Sequence, residues 1–78
     1  MTESPINRLV KMANQIALNM AANGTADEVA EQVAQHLRKF WPPSMQQLII
    51  EHLATPDNGL SALAHQALVN LHKLQESA

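Results

Sequence analysis

The sequence contains no cysteine, which excludes disulfide bonds and thiolate ligands for zinc or iron–sulfur clusters. Its 78 residues include one Trp, one Phe, no Tyr and only two Gly. The formal net charge is −2, and this disfavours a stand-alone nucleic-acid-binding module, because such modules are usually basic. No apolar run approaches the roughly 20 residues of a membrane span. Residues 1–5 do not resemble a signal peptide, so we expect a cytoplasmic protein.

Helix-forming residues dominate what is present. Hydrophobic residues make up 46% of the chain, too many for a disordered tail, and Ala, Leu and Gln are abundant. Apolar residues recur at helical spacing in four segments, and no alternating strand pattern occurs. We therefore predict a single all-α domain, a small compact bundle of four helices with a short third helix. The predicted helices cover residues 5–22, 26–41, 44–54 and 62–75.

Capping signals mark the ends of these segments. Ser4, Thr25 and Ser61 are placed as N-caps, and Glu28 completes a capping box with Thr25. Asn-Gly at residues 23–24 predicts a left-handed stop after the first helix, and residues 75–78 are expected to fray.

The apolar face of each segment predicts the core. The predicted core residues are Ile6, Leu9, Val10, Ala13, Ile16, Ala17 and Met20, then Val29, Ala30, Val33, Leu37 and Phe40, then Met45, Leu48, Ile49, His52 and Leu53, and finally Leu63, Ala64, Ala67, Leu68, Leu71 and Leu74.

The four histidines do not form a metal-binding pattern. His65 and His72 are seven residues apart on one helix, which separates their backbones by roughly 10 Å. We expect both to face solvent and His52 to be partly buried with a hydrogen-bond partner. There is no Gly-rich phosphate loop, and the serines stand at helix starts, where a capping role explains them. The sequence therefore predicts no catalytic, cofactor-binding or metal-binding residue.

Several residues point instead to a partner surface. On a helical projection Leu18, Ile50 and Val69 fall away from the apolar faces, although single exposed apolar residues are also common. Arg38 and Lys39 flank an aromatic pair at the end of the second helix.

One member of that pair, Phe40 or Trp41, has room in the core while the other lies across the helix end. The simple interpretation is a helix terminus whose cations complement the helix dipole. The functional interpretation is an aromatic and cationic corner that docks on an acidic partner. The predicted partner-binding residues are Leu18, Arg38, Lys39, Trp41 and Ile50.

Three strings carry a family resemblance. They are Leu-Val-Lys-Met-Ala-Asn-Gln-Ile at 9–16, Val-Ala-Gln-His-Leu-Arg-Lys-Phe-Trp at 33–41 and Gly-Leu-Ser at 59–61. Amphipathicity alone does not require Asn14, Gln15 or Trp41. With these strings, the sequence resembles the small delta subunit of NAD-dependent, molybdenum-containing formate dehydrogenase.

The resemblance implies a non-catalytic accessory subunit that binds the large (alpha) catalytic subunit and helps the enzyme to assemble or remain stable. It also implies that molybdopterin, iron–sulfur clusters and flavin belong to other subunits and that this chain holds no cofactor.

Two alternatives remain open at this point. One is a self-associating helical or regulatory protein without an enzyme partner, which would form homo-oligomers when isolated. The other is a helix-turn-helix DNA-binding module, although the third predicted helix carries no Lys or Arg for phosphate contacts.

Overall fold

Four α-helices make up the computed structural model, which describes residues 4–77. The helices are α1 (Pro5–Met20), α2 (Ala26–Phe40), α3 (Pro43–His52) and α4 (Ala62–Glu76), and a 3₁₀ turn, Ala21–Asn23, follows α1. No strand occurs among the described residues, and the predicted all-α fold with a short third helix is confirmed. Residues 1–3, which belong to the segment judged not to be a signal peptide, lie outside the described residues.

Side-chain caps begin three of the helices as predicted. The hydroxyls of Ser4, Thr25 and Ser61 each accept a hydrogen bond from the backbone N–H three residues ahead. At Thr25 the capping box is complete, because the Glu28 carboxylate also accepts from the Thr25 N–H at 2.9 Å. These bonds satisfy N–H groups that have no partner inside a helix.

Two helix ends differ from the prediction. α1 ends through the 3₁₀ turn, and Gly24 has φ 158° and ψ −162°, outside the left-handed helical region that was predicted. A Cβ at Gly24 would lie 2.9 Å from Glu28 Oε1, so this glycine leaves room for the capping carboxylate. At the other end of the chain α4 continues to Glu76, one residue past the predicted bound, and Gln75 is hydrogen-bonded to Gln46. Ala78 lies outside the described residues.

The core forms chiefly between α2 and α4, which have the most extensive contact of any helix pair. Their N-terminal turns line one groove, and at the other end Gln46 of α3 bonds both the Arg38 carbonyl in the last turn of α2 and Gln75 in the last turn of α4. The two helices therefore run in the same direction. Both carry buried alanines, whose short side chains let backbones approach closely. Every predicted core residue of α1 and α4 is buried or half-buried.

The buried face of α3 is rotated by about one residue from the predicted one. Gln46, Ile49 and Ile50 are buried, whereas Leu48 is 51% exposed. Ile50 is only 8% exposed, so its predicted position on the surface is wrong. The reason is that α3 contacts α1, α2 and α4, which buries the face that Gln46, Ile49, Ile50 and Leu53 share. Because Gln46 is polar, the spacing of apolar residues in the sequence does not indicate this face.

The two aromatic residues at the end of α2 divide between surface and core. Phe40 is 63% exposed, which overturns its predicted core position, and Trp41 is 7% exposed. Trp41 has left the helix and is extended, with φ −94° and ψ 136°. Helical periodicity no longer sets the direction of its side chain, and the indole turns into the core.

Candidate partner-binding surfaces

The predicted partner-binding residues do not form one patch. Leu18 lies near the N-terminal end of α2. It lines one cavity together with Ala21, and Ala21 also lines a second cavity that includes Ala26 in the first turn of α2. Arg38 and Lys39 are exposed at the C-terminal end. The 15 residues of α2 separate these ends by about 20 Å. The molecule thus has two separate candidate surfaces.

The first surface, at the C-terminal end of α2, consists of His36, Arg38, Lys39 and Phe40, and we call it the Phe40 corner. The His36 and Phe40 rings are tilted against each other with centroids 4.7 Å apart. Lys39 Nζ lies 5.5 Å from the centroid of the Phe40 ring, within the range of a cation–π contact. His36 and Lys39 flank the exposed Phe40 ring, and Arg38 is exposed in the same last turn of α2. Such a surface suits an apolar partner site with acidic surroundings.

Gln46 fixes the chain behind this corner. Its amide Nε2 donates to the carbonyl oxygens of Trp41 at 2.7 Å and Arg38 at 3.3 Å. Its Oε1 accepts from Gln75 Nε2 at 3.0 Å. The side chain therefore satisfies carbonyls at the end of α2, which have no partner inside the helix. The role of Gln46 is not apparent from the sequence, since only its position relative to a proline-terminated helix distinguishes it.

The second surface is an apolar groove at the opposite end, between α1, α2 and α4, and we call it the α1–α2–α4 groove. It consists of two adjoining cavities of about 520 and 320 Å³ that share Ala21 and Leu63. The apolar walls include Leu18, Ala21, Ala26, Val29, Ala62 and Leu63. Leu18 is 69% exposed, as its helical position predicted.

Asn14 connects two of the strings on which the family resemblance rests. Its Nδ2 donates to the Gly59 carbonyl and its Oδ1 accepts from the Ser61 N–H, both at 2.9 Å. Gly59 has φ +80°, a left-handed conformation that favours glycine. One amide thus joins α1 to the loop that starts α4. This explains an asparagine that amphipathicity does not require.

The loop before α4 is also held by His52. Its ring Nε2 lies 3.0 Å from the Asn58 carbonyl oxygen, so this histidine is half-buried with a partner, as predicted. His65 and His72 are exposed, also as predicted, and His72 pairs with Glu76 at 2.7 Å. Within residues 4–77, no group of three or more His, Asp or Glu side chains is placed to hold a metal ion. No helix in that range is both long and apolar enough to cross a membrane.

One carboxyl group has a shifted pKa. The Thr25 backbone N–H, and after it the Thr25 hydroxyl, lower the pKa of Glu28 below its ordinary value of 4.5, because both hydrogen bonds favour the ionised form. The negative charge of Glu28 therefore caps the N-terminal end of α2.

The fold defines a small all-α domain of four helices with an exposed apolar surface at each end of α2. Comparison with known families matches residues 8–68 to the NADH-dependent formate dehydrogenase delta subunit family, FdsD. The chain belongs to this family, as the three strings indicated. The matched residues include Asn14, Gly59 and Ser61, which form the hydrogen-bonded link just described. No curated protein matches the chain, and no solved structure does.

Proposed function

We propose that this chain is an accessory subunit without catalytic residues of its own, which binds the large (alpha) catalytic subunit of an NAD-dependent formate dehydrogenase. In this role it helps the enzyme complex to assemble or to remain stable in the cytoplasm. The observation that carries the proposal is the delta-subunit family match, which extends from α1 into α4. A family of enzyme subunits implies at least one other subunit as a partner.

The cofactors of the complex belong, in this proposal, to the other subunits. Iron–sulfur clusters are held mainly by cysteine thiolates, and this sequence has no cysteine. Molybdopterin and flavin are likewise assigned to the partners. In this proposal the chain contributes a binding surface to the complex and no catalytic or cofactor-binding group.

The Phe40 corner is the first docking surface in this proposal. Arg38 and Lys39 keep the role that the sequence suggested for them, and Phe40 replaces Trp41 as the exposed aromatic residue. Trp41 and Ile50 are core residues and contribute to the fold only. Leu18 belongs to the second surface at the far end of α2.

A helix-turn-helix function is not favoured. α3 would be the recognition helix, and it carries no Lys or Arg. It also contacts the other three helices, and Gln46, Ile49 and Ile50 are buried.

The proposal is tested by adding the purified protein to formate dehydrogenase from a host that lacks this gene. We expect capture of the alpha subunit and a higher yield of assembled, active enzyme when the protein is present. A double Arg38→Ala, Lys39→Ala variant should weaken capture about tenfold, whereas Lys11→Ala, an exposed cation in the middle of α1, should leave it unchanged. Failure of the unaltered protein to bind any formate dehydrogenase subunit would contradict the proposal.

A further inference from the structure

The α1–α2–α4 groove points to a second part of the interface with different chemistry. We infer that it binds a segment of the partner subunit that carries apolar side chains next to Lys or Arg. This inference rests on the proposed function, since it takes the partner to be a subunit of the same complex.

The shape of the groove comes from small side chains. Ala21, Ala26 and Ala62 lie where three chain segments meet, and none of them fills the space between the helices. The larger cavity, about 520 Å³, falls within the range of pockets that bury drug-sized ligands, which is enough for several apolar side chains. Leu18 stands at the edge, more than two-thirds exposed, with nothing among the described residues covering it.

The charge of the groove identifies the kind of segment that fits. Asp27 lines the larger cavity, and Glu31 is exposed one turn further along α2. Glu31 accepts a hydrogen bond from Gln35, and neither carboxylate pairs with a described Lys or Arg. No described cation lines either cavity. A lysine or arginine beside the inserted apolar side chains would therefore find an opposite charge at the rim.

The two ends of α2 also differ in sign. The groove end carries Asp27 and Glu31, and the Phe40 corner carries Arg38 and Lys39. A partner with basic residues at one contact and acidic residues about 20 Å away would bind in one orientation only, because the reversed orientation places like charges together. The charge pattern thus specifies the direction of docking.

The test uses formate dehydrogenase lacking this subunit and measures the affinity of added variants. Leu18→Gln should weaken binding at least tenfold, because a polar side chain replaces the apolar rim. Leu48→Gln is the matched control, since Leu48 is an exposed leucine on α3 that does not line the groove, and it should change binding less than twofold. Asp27→Asn should weaken binding severalfold at low salt and reduce its salt dependence.

Circular dichroism and thermal unfolding confirm that each variant folds before affinity is compared. If the unaltered protein binds but Leu18→Gln and Asp27→Asn bind equally well, the groove inference is overturned and the proposed function stands. If the unaltered protein does not bind, the proposed function fails, and the inferred occupant fails with it.

A second copy of this chain offers similar chemistry through its own Phe40 corner. The mass of the free protein in solution is therefore measured as well. A dimer or larger species that Leu18→Gln converts to monomer, while binding to the enzyme is unchanged, would assign the groove to self-association and overturn the inference.

Discussion

At the scale of single residues, two adjacent aromatic side chains have opposite environments. Phe40 is the last residue of α2 and follows the helix surface into solvent, whereas Trp41 is extended and enters the core. The proline after Trp41 favours this extended backbone. The indole is therefore a structural residue and the phenyl ring a surface one.

Substitution of each aromatic residue should separate these roles. Trp41→Ala should lower the free energy of unfolding by roughly 3–5 kcal/mol, because it leaves a cavity in the core. Phe40→Ala, the matched control, should change it by less than about 0.5 kcal/mol, as is usual for an exposed side chain. Urea unfolding of the isolated protein measures both values. Equal losses would show that the indole is not buried as described.

Asn14 acts at the same scale, through two hydrogen bonds to the loop before α4. Asn14→Ala removes both and should cost about 1–3 kcal/mol in urea unfolding. Asn14→Asp keeps an acceptor for the Ser61 N–H but sets a carboxylate oxygen against the Gly59 carbonyl oxygen, so its cost should be at least as large as that of Asn14→Ala.

Asn19→Ala is the control for Asn14, because the Asn19 amide oxygen accepts from Gln15 within α1 and its side chain has no bond to another helix or loop among residues 4–77. It should stay within about 0.5 kcal/mol of the unaltered protein. A loss for Asn19→Ala as large as that for Asn14→Ala would mean that asparagines in α1 stabilise the helix itself rather than the loop.

At the scale of the elements, the ends of α2 are closed by different means. Thr25 and Glu28 satisfy the first N–H groups, and Gly24 provides the space that the Glu28 carboxylate occupies. At the other end Gln46, from the next helix, satisfies the carbonyls of Arg38 and Trp41. The first closure is local in sequence, while the second requires α3 to fold back.

The Glu28 cap should give stability a defined pH dependence. Because the pKa of Glu28 is lower in the folded than in the unfolded chain, the unfolded chain binds more protons near pH 4. The stabilisation is therefore present above the ordinary value of 4.5 and is lost as pH falls through the lowered pKa. Urea unfolding should show Glu28→Gln less stable than the unaltered protein at pH 7, with the two converging at low pH.

Glu31→Gln is the control for this measurement. It removes an equal charge one turn along α2, and its side chain contacts Gln35 rather than the helix start. At pH 7 its stability should stay closer to that of the unaltered protein than the stability of Glu28→Gln does. An unchanged gap between Glu28→Gln and the unaltered protein at all pH values would contradict the role given to the carboxylate.

At the scale of the whole molecule, the parallel pair α2 and α4 forms the centre, with α1 and α3 packed against it. Leu37, Leu68 and Leu71 are fully buried there. The same arrangement places the groove and the Phe40 corner at opposite ends of α2, so the packing that stabilises the domain also separates its two surfaces.

Leu37→Ala should destabilise the whole domain. A cost of about 2–5 kcal/mol is expected in urea unfolding, because a fully buried leucine is replaced by a smaller side chain. The helical signal in circular dichroism should be lost in one transition. Leu48→Ala, on the exposed side of α3, is the comparison and should cost less than about 1 kcal/mol. A loss of stability for Leu37→Ala as small as that for Leu48→Ala would mean that the buried face of α2 is wrongly assigned.

Local signals in the sequence were sufficient for much of the fold. The N-caps at Ser4, Thr25 and Ser61 were readable because each bonds its own helix three residues ahead. The buried faces of α1 and α4 were readable because apolar spacing follows the helical period directly. Leu18 was correctly placed on the surface for the same reason.

Other features depended on contacts between distant segments, and only the tertiary structure decided them. Ile50 is buried because α3 contacts three helices. Gln46 is buried where its amide donates to the carbonyls of Arg38 and Trp41 at the end of α2. Trp41 turns inward where helical periodicity stops, which leaves Phe40 outside. The groove exists only because small residues from three chain segments lie next to each other, and the residue spacing within any one segment does not predict that contact.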